Sequence, residues 1–244
     1  MDNFKDFLLN LIFPKFCLGC QKEGIYLCDD CRHVLDINEF NYCLCDNMPN
    51  RLPQNQTSGK CSRCQNKNLS GIYSALSYKQ QLVKKLIYQF KYQPYLKDLS
   101  QTLASIVVEC LFLAGKNTEE VWQNSILIPV PTDKKKLKNR GYNQSKELAE
   151  ELSKILKIPV VTDTLIKIKP TKPQMELNKI EREKNLLDAF CINTNLAKSD
   201  LTKFSKIFLV DDVYTTGSTM EECAKILKRA GAKEIWGIVI AREG

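Results

Sequence analysis

No apolar run in the sequence approaches the roughly 18 residues that would argue for a membrane-spanning helix. The N-terminus also lacks the small-residue cleavage pattern of a secretory leader, so the cytosol is the expected compartment. Histidine is nearly absent: His33 is the one imidazole in 244 residues. Any metal chemistry therefore falls to other donors, and His33 is expected at the surface. There is no internal repeat beyond paired cysteines and no low-complexity tract. The length fits one sizeable domain plus a small module.

The charge is unevenly placed. Residues 1–70 hold eight Lys+Arg and eight Asp+Glu, so the net +8 (28 minus 20) lies wholly in residues 71–244. That part is suited to an anionic partner, either a polyanion such as nucleic acid or a small phosphorylated ligand.

Eight of the eleven cysteines fall between residues 17 and 64 as close pairs: Cys17/Cys20, Cys28/Cys31, Cys43/Cys45 and Cys61/Cys64. In a chain without an export signal such pairs point to metal rather than to disulfides. Zinc takes four thiolates in a tetrahedron without needing a large core, so eight thiolates make two closed structural sites. Four pairs allow three groupings. The sequential one, Cys17–Cys31 and Cys43–Cys64, is favoured, although Cys43-x-Cys45 is one residue short of the usual spacing and leaves one or two zinc ions open. Ahead of the cysteines, Phe4, Phe7, Leu8, Leu11 and Ile12 form the stripe of a short amphipathic helix, expected to pack on the protein itself, with peripheral contact at the cytoplasmic face of the inner membrane as the alternative. Residues 1–68 are thus expected to form a zinc-ribbon-like module.

From residue 69 the pattern becomes strands alternating with helices. Strands are expected at 71–78, 126–130, 206–210 and 234–241, with shorter ones near Val160, Thr164 and Phe190. Helices are expected at 82–90, 99–113, through Leu148–Leu156, 177–187 and from about Ser218. Such alternation predicts an α/β fold, a parallel sheet covered by helices on both faces, with ligands gathering at the carboxyl ends of the strands.

One of those ends reads IFLVDDVYTTGST, Ile207 to Thr219. Free N–H groups at a helix start, Gly217, and the hydroxyls of Thr215, Thr216, Ser218 and Thr219 can cradle a phosphate. Asp211 and Asp212, with Val213 and Tyr214 beside them, can accept hydrogen bonds from sugar hydroxyls or help hold a divalent cation. A ribose carrying a 5′-phosphate satisfies both halves. The Lys134, Lys135, Lys136, Lys138 and Arg140 run reads as a cationic loop at another strand end, with Arg140 offering a planar fork to phosphate oxygens. In KKLIYQFKYQPYLK, Lys84 to Lys97, the cations Lys84, Lys85 and Lys91 alternate with aromatic rings including Tyr92, a pattern suited to single-stranded nucleic acid. Cys110, Cys191 and Cys223 sit in apolar patterns and read as core.

The thirteen-residue pattern resembles the signature loop of type I phosphoribosyltransferases, which bind phosphoribosyl pyrophosphate (PRPP) with magnesium. Two further segments, IPVPTDKKKLKNRGYNQSKELAEEL (Ile128 to Leu152) and KPTKPQMELNKIEREKNLLDAF (Lys169 to Phe190, through Thr171, Gln174, Arg182, Asn185 and Phe190), narrow the resemblance to the ComF (ComFC) family, over almost the whole chain. Lys169 departs from it, standing where an arginine is often found. The resemblance implies a PRPP-binding domain at 69–244 and a zinc head. It further implies a competence protein that handles incoming single-stranded DNA beside DNA-uptake and recombination proteins. The alternative is an active phosphoribosyltransferase in which Asp211, Asp212 and Arg140 stabilise the separating charges.

Overall fold

A computed structural model describes residues 14–46, 48–53, 56–116, 119–169, 188–193 and 201–243. The Phe4–Ile12 stripe, the 177–187 helix and Thr171, Gln174, Arg182 and Asn185 lie outside the described residues.

The centre of the protein is a parallel four-stranded sheet in the order β1 (Gly71–Ser77), β6 (Ile235–Arg242), β5 (Lys206–Tyr214), β2 (Ser125–Pro129). The central strands are apolar on both faces, as a sheet covered on both sides requires. In β5, Phe208 and Val210 pack on one side with the helices Gln81–Lys91, Leu99–Leu113 and Gln144–Leu156, while Ile207 and Leu209 pack on the other with the helix Ser218–Arg229. The α/β architecture expected from the strand–helix alternation is therefore present. Among the described residues, no helix is long and apolar enough to cross a membrane.

Three local expectations change. β5 runs through both aspartates to Tyr214 because β6 continues beside it to Arg242, whereas β2 stops at Pro129, paired with Val210. The edge of β5 facing β2 is thus open from Asp211 onward, and a crevice forms there. Val160 makes only an isolated bridge to Leu127, and the segment after Thr164 becomes β3 (Leu165–Lys167), which pairs antiparallel with β4 (Phe190–Ile192) as a separate ribbon. The basic run is no loop but a helix, Lys134–Arg140. The Asp133 side chain caps its start by accepting the Lys135 N–H at 2.8 Å, and Gly141, at φ 81°, closes it in the left-handed conformation.

Candidate functional site

The crevice at the end of β5 is a cavity of about 690 Å³, in the middle of the range for small-molecule sites of about 300–1,000 Å³. Asp211 through Thr215 and Gly217 through Met220 form one wall, so the start of the helix Ser218–Arg229, whose first N–H groups have no intrahelical acceptor, borders the space. Gly217 makes the turn at φ 77°, and the Thr216 and Ser218 hydroxyls hydrogen-bond each other at 2.8 Å. A Cβ on residue 217 would run into the ring and hydroxyl of Tyr214.

The two carboxylates are fixed by groups from distant parts of the chain. Asp212, on the Phe208–Val210 face, accepts from Lys91 Nζ at 2.9 Å and from Gln144 Nε2 at 3.1 Å. Gln144 in turn takes a hydrogen bond from the Arg140 guanidinium. Asp211 accepts from the Ser145 hydroxyl and from the Asp212 backbone N–H, both at 2.9 Å. Burial and the neighbouring Asp212 charge push the Asp211 carboxyl up to about 7, against the pull of Lys91 and these hydrogen bonds. Burial opposes the charge on Lys91, yet Asp212 and Asp211 outweigh it and hold the ammonium above its ordinary range. Lys136 and Lys167 supply further positive charge to the cavity. Burial, with the nearby Lys136, lowers the Lys167 ammonium.

The residues singled out in the sequence thus divide. Asp211, Asp212, Val213, Tyr214, Thr215, Gly217, Ser218 and Thr219 line the cavity together with Lys91, Tyr92 and Lys136. Arg140 lies behind the lining, bound to Gln144 and 6.0 Å from the centre of the Tyr92 ring. Lys84, Lys85, Lys134, Lys135 and Lys138 are exposed. Sequence reasoning assigns no site role to Gln144 or Ser145, although Gln144 closes the Arg140-Gly141-Tyr142-Asn143-Gln144 stretch inside the family-like segment Ile128 to Leu152 and Ser145 follows it.

The cysteines form two groups, Cys17/Cys20/Cys28/Cys31 and Cys43/Cys45/Cys61/Cys64, each with its sulfurs within 4.8 Å of one another. All are free thiols. Sulfur–sulfur distances of 3.5 and 3.6 Å in the first group and 3.6 and 3.7 Å in the second approach the edge of about 3.8 Å that follows from Zn–S bonds of about 2.3 Å in a tetrahedron. The donor sets fit zinc. In each group one thiol is already disposed to ionise: burial opposes it, but the amide groups of Cys28, Cys20 and Gly19 bring Cys17 down to about 6, and the Arg63 amide with Cys45 and Cys43 does the same for Cys61. His33 belongs to neither group and bonds through Nδ1 to the Asp29 carbonyl. Cys110 and Cys223 are buried as expected and Cys191 is half-buried.

The second group is joined to the cavity wall. The buried Tyr214 hydroxyl donates to the Leu44 carbonyl at 3.1 Å, and Lys67 Nζ reaches both at 2.9 and 3.3 Å. Arg242, at the end of β6, donates to the carbonyls of Cys43, at 2.7 Å, and Cys45. Glu221, in the first turn of the helix Ser218–Arg229, accepts from the backbone of Asn68 and Leu69 and from the Asn68 side chain. Nothing in a local stretch of sequence announces these bonds.

Comparison with known proteins agrees with this geometry. The model of the phosphoribosyl transferase domain matches residues 143–244. Competence protein F of Haemophilus influenzae is 35% identical over 161 residues, covering 64% of this chain and 67% of that protein. Competence protein ComFC of Streptococcus pneumoniae is 29% identical over 213 residues (86% and 84%), and the DNA utilization protein YhgH of Escherichia coli K12 is 26% identical over 224 (86% and 95%). With a parallel sheet, a phosphoribosyl transferase domain, paired-cysteine groups and these relatives in agreement, the chain belongs to the ComF (ComFC) family.

Proposed function

We propose that the cavity binds PRPP with a magnesium ion, and that the protein handles incoming single-stranded DNA during natural transformation. One observation carries the ligand reading: a helix start rich in hydroxyls, a fixed pair of carboxylates and three lysines surround one cavity of about 690 Å³. The helix start and residues 215–219 suit the 5′-phosphate, Asp211 and Asp212 suit the ribose hydroxyls and the cation, and Lys91, Lys136 and Lys167 suit the pyrophosphate. The two cysteine groups hold structural zinc in this reading.

The DNA reading is supported by the names of the relatives, the positive charge of residues 71–244 and the exposed lysines at 84, 85, 134, 135 and 138. DNA-uptake and recombination proteins are the partners it implies. The test is fluorescence anisotropy of a labelled single strand across a salt series. Binding should weaken steeply with salt, and replacing Lys84 and Lys85 with Ala should reduce the slope by about 1.4, because each phosphate of a single strand that a lysine neutralises adds about 0.7 to it. No binding at low salt refutes the DNA role.

A second reading, turnover of PRPP by transfer to a nucleophile, is favoured by the same carboxylates and cations. Positive charge developing on the sugar would lie beside Asp211 and Asp212, and negative charge on pyrophosphate beside the lysines. Pyrophosphate release with a panel of acceptors measures it.

A further inference from the structure

A sugar phosphate leaves one part of the cavity lining without a use. Tyr88 and Tyr92 border the cavity, yet as residues they are 55% and 42% exposed, while Phe90 between them is fully buried in the core. Isolated exposed tyrosines are ordinary, but these two lie with ring centres 4.9 Å apart and planes tilted by 36°. Their placement is also fixed relative to the carboxylates. Lys91, between them in the chain, pairs with Asp212, and Tyr92 faces the Arg140 guanidinium, which is bound to Gln144, itself bound to Asp212. The fold thus sets two partly exposed aromatic rings with polar edges beside the carboxylate pair. Ligands with flat π-faces and hydrogen-bonding edges match such a surface, and nucleobases are the members of that class that come attached to sugar phosphates.

We propose that Tyr88 and Tyr92 form a base-stacking subsite at the mouth of the cavity, taking a nucleobase either from a nucleotide seated in the cavity or from a strand passing its mouth. The nucleotide source rests on the sugar-phosphate reading given above. The subsite fills the role of a base-recognition element using the last turn and cap of the helix Gln81–Lys91, and among the described residues no residue of the cysteine-rich head lines the cavity.

Calorimetry with ribose 5-phosphate and with nucleoside 5′-monophosphates isolates the base, because the two ligands share phosphate and sugar. Stacking of about 1–3 kcal/mol corresponds to roughly 5- to 150-fold tighter binding of the nucleotides. Tyr92→Ala should cancel most of that gain and leave ribose 5-phosphate unaffected, Tyr88→Ala should reduce it, and Tyr92→Phe should keep it. A parallel arm compares a thymidine oligonucleotide with its abasic counterpart. If the strand is the source, the alanine variants weaken the first and not the second. The proposal is overturned if neither the mononucleotides nor the oligonucleotide show a base-dependent gain sensitive to these tyrosines. Failure of ribose 5-phosphate and PRPP to bind refutes the sugar-phosphate reading instead, and the oligonucleotide arm then decides the stacking subsite alone.

Discussion

Replacing Arg242 with methionine should unlock the second cysteine group from the sheet. Arg242 is 7% exposed and donates to the carbonyls of Cys43 and Cys45, while its guanidinium carbon lies 5.2 Å from the centre of the Tyr214 ring. Hydrogen bonds from a charged donor contribute about 1.5–3 kcal/mol each, so two account for about 3–6 kcal/mol. Burial acts against this by disfavouring the charge, and Nε has no hydrogen-bond partner among the described residues. Methionine keeps the packing of the stem and removes that cost, leaving a net loss of about 2–4 kcal/mol. At about 2–4 °C per kcal/mol for a chain of this size, Tm should fall by about 4–16 °C. Zinc release to a chromogenic chelator, followed alongside thermal unfolding, provides the assay. With zinc in both cysteine groups and PRPP in the cavity, as proposed, one equivalent of zinc should escape much faster than in the wild type while the Cys17 group keeps the other, and PRPP affinity should drop because Tyr214 both lines the cavity and bonds to Leu44. Unchanged Tm and unchanged zinc release would refute the idea that Arg242 joins the cysteine head to the ligand loop.

Two further outcomes follow from the site. The Asp211 carboxyl, raised from 3.8 to about 7 in the folded protein, contributes stability that is complete below about pH 3.8 and is lost as pH rises through 7; magnesium-dependent PRPP binding, which needs the carboxylate, should strengthen about tenfold per pH unit up to pH 7 and then level, with Asp211→Asn removing the dependence. Gly217→Ala should destabilise by about 2–5 kcal/mol in chemical denaturation, combining a left-handed backbone with overlap against the immobile Tyr214 ring, and a wild-type midpoint would contradict that account.

What the sequence disclosed was local. The spacing of the cysteines, the apolar core of β5 and the hydroxyl-rich turn after Asp212 each lie within a short window, and their chemistry is legible from residue type and order. The sequential pairing of cysteines follows because short loops bring neighbouring pairs together at least cost in chain entropy. What escaped was built from distant parts. Lys91 read as a cation for nucleic acid, and only the packing of its helix over the Phe208–Val210 face brings its ammonium to Asp212. Tyr214 read as a residue of the phosphate loop, but its hydroxyl bonds to Leu44, 170 residues away. The helix at Lys134–Arg140 was hidden by its own lysines, which read as a solvated loop, although the Asp133 and Gly141 signals at its two ends were present.

If the carboxylates at the end of β5 and the turn at Gly217 make one site for a sugar phosphate with a divalent cation, PRPP binding requires both magnesium and Asp212. Isothermal titration of PRPP, with and without magnesium, into the wild type and Asp212→Asn tests it most directly. Magnesium-dependent binding to the wild type is expected, with at least a tenfold loss in Asp212→Asn, whose fold is checked alongside by circular dichroism because the substitution also removes the carboxylate that pairs with the buried Lys91. Equal binding by both proteins, or no binding by the wild type, would contradict it.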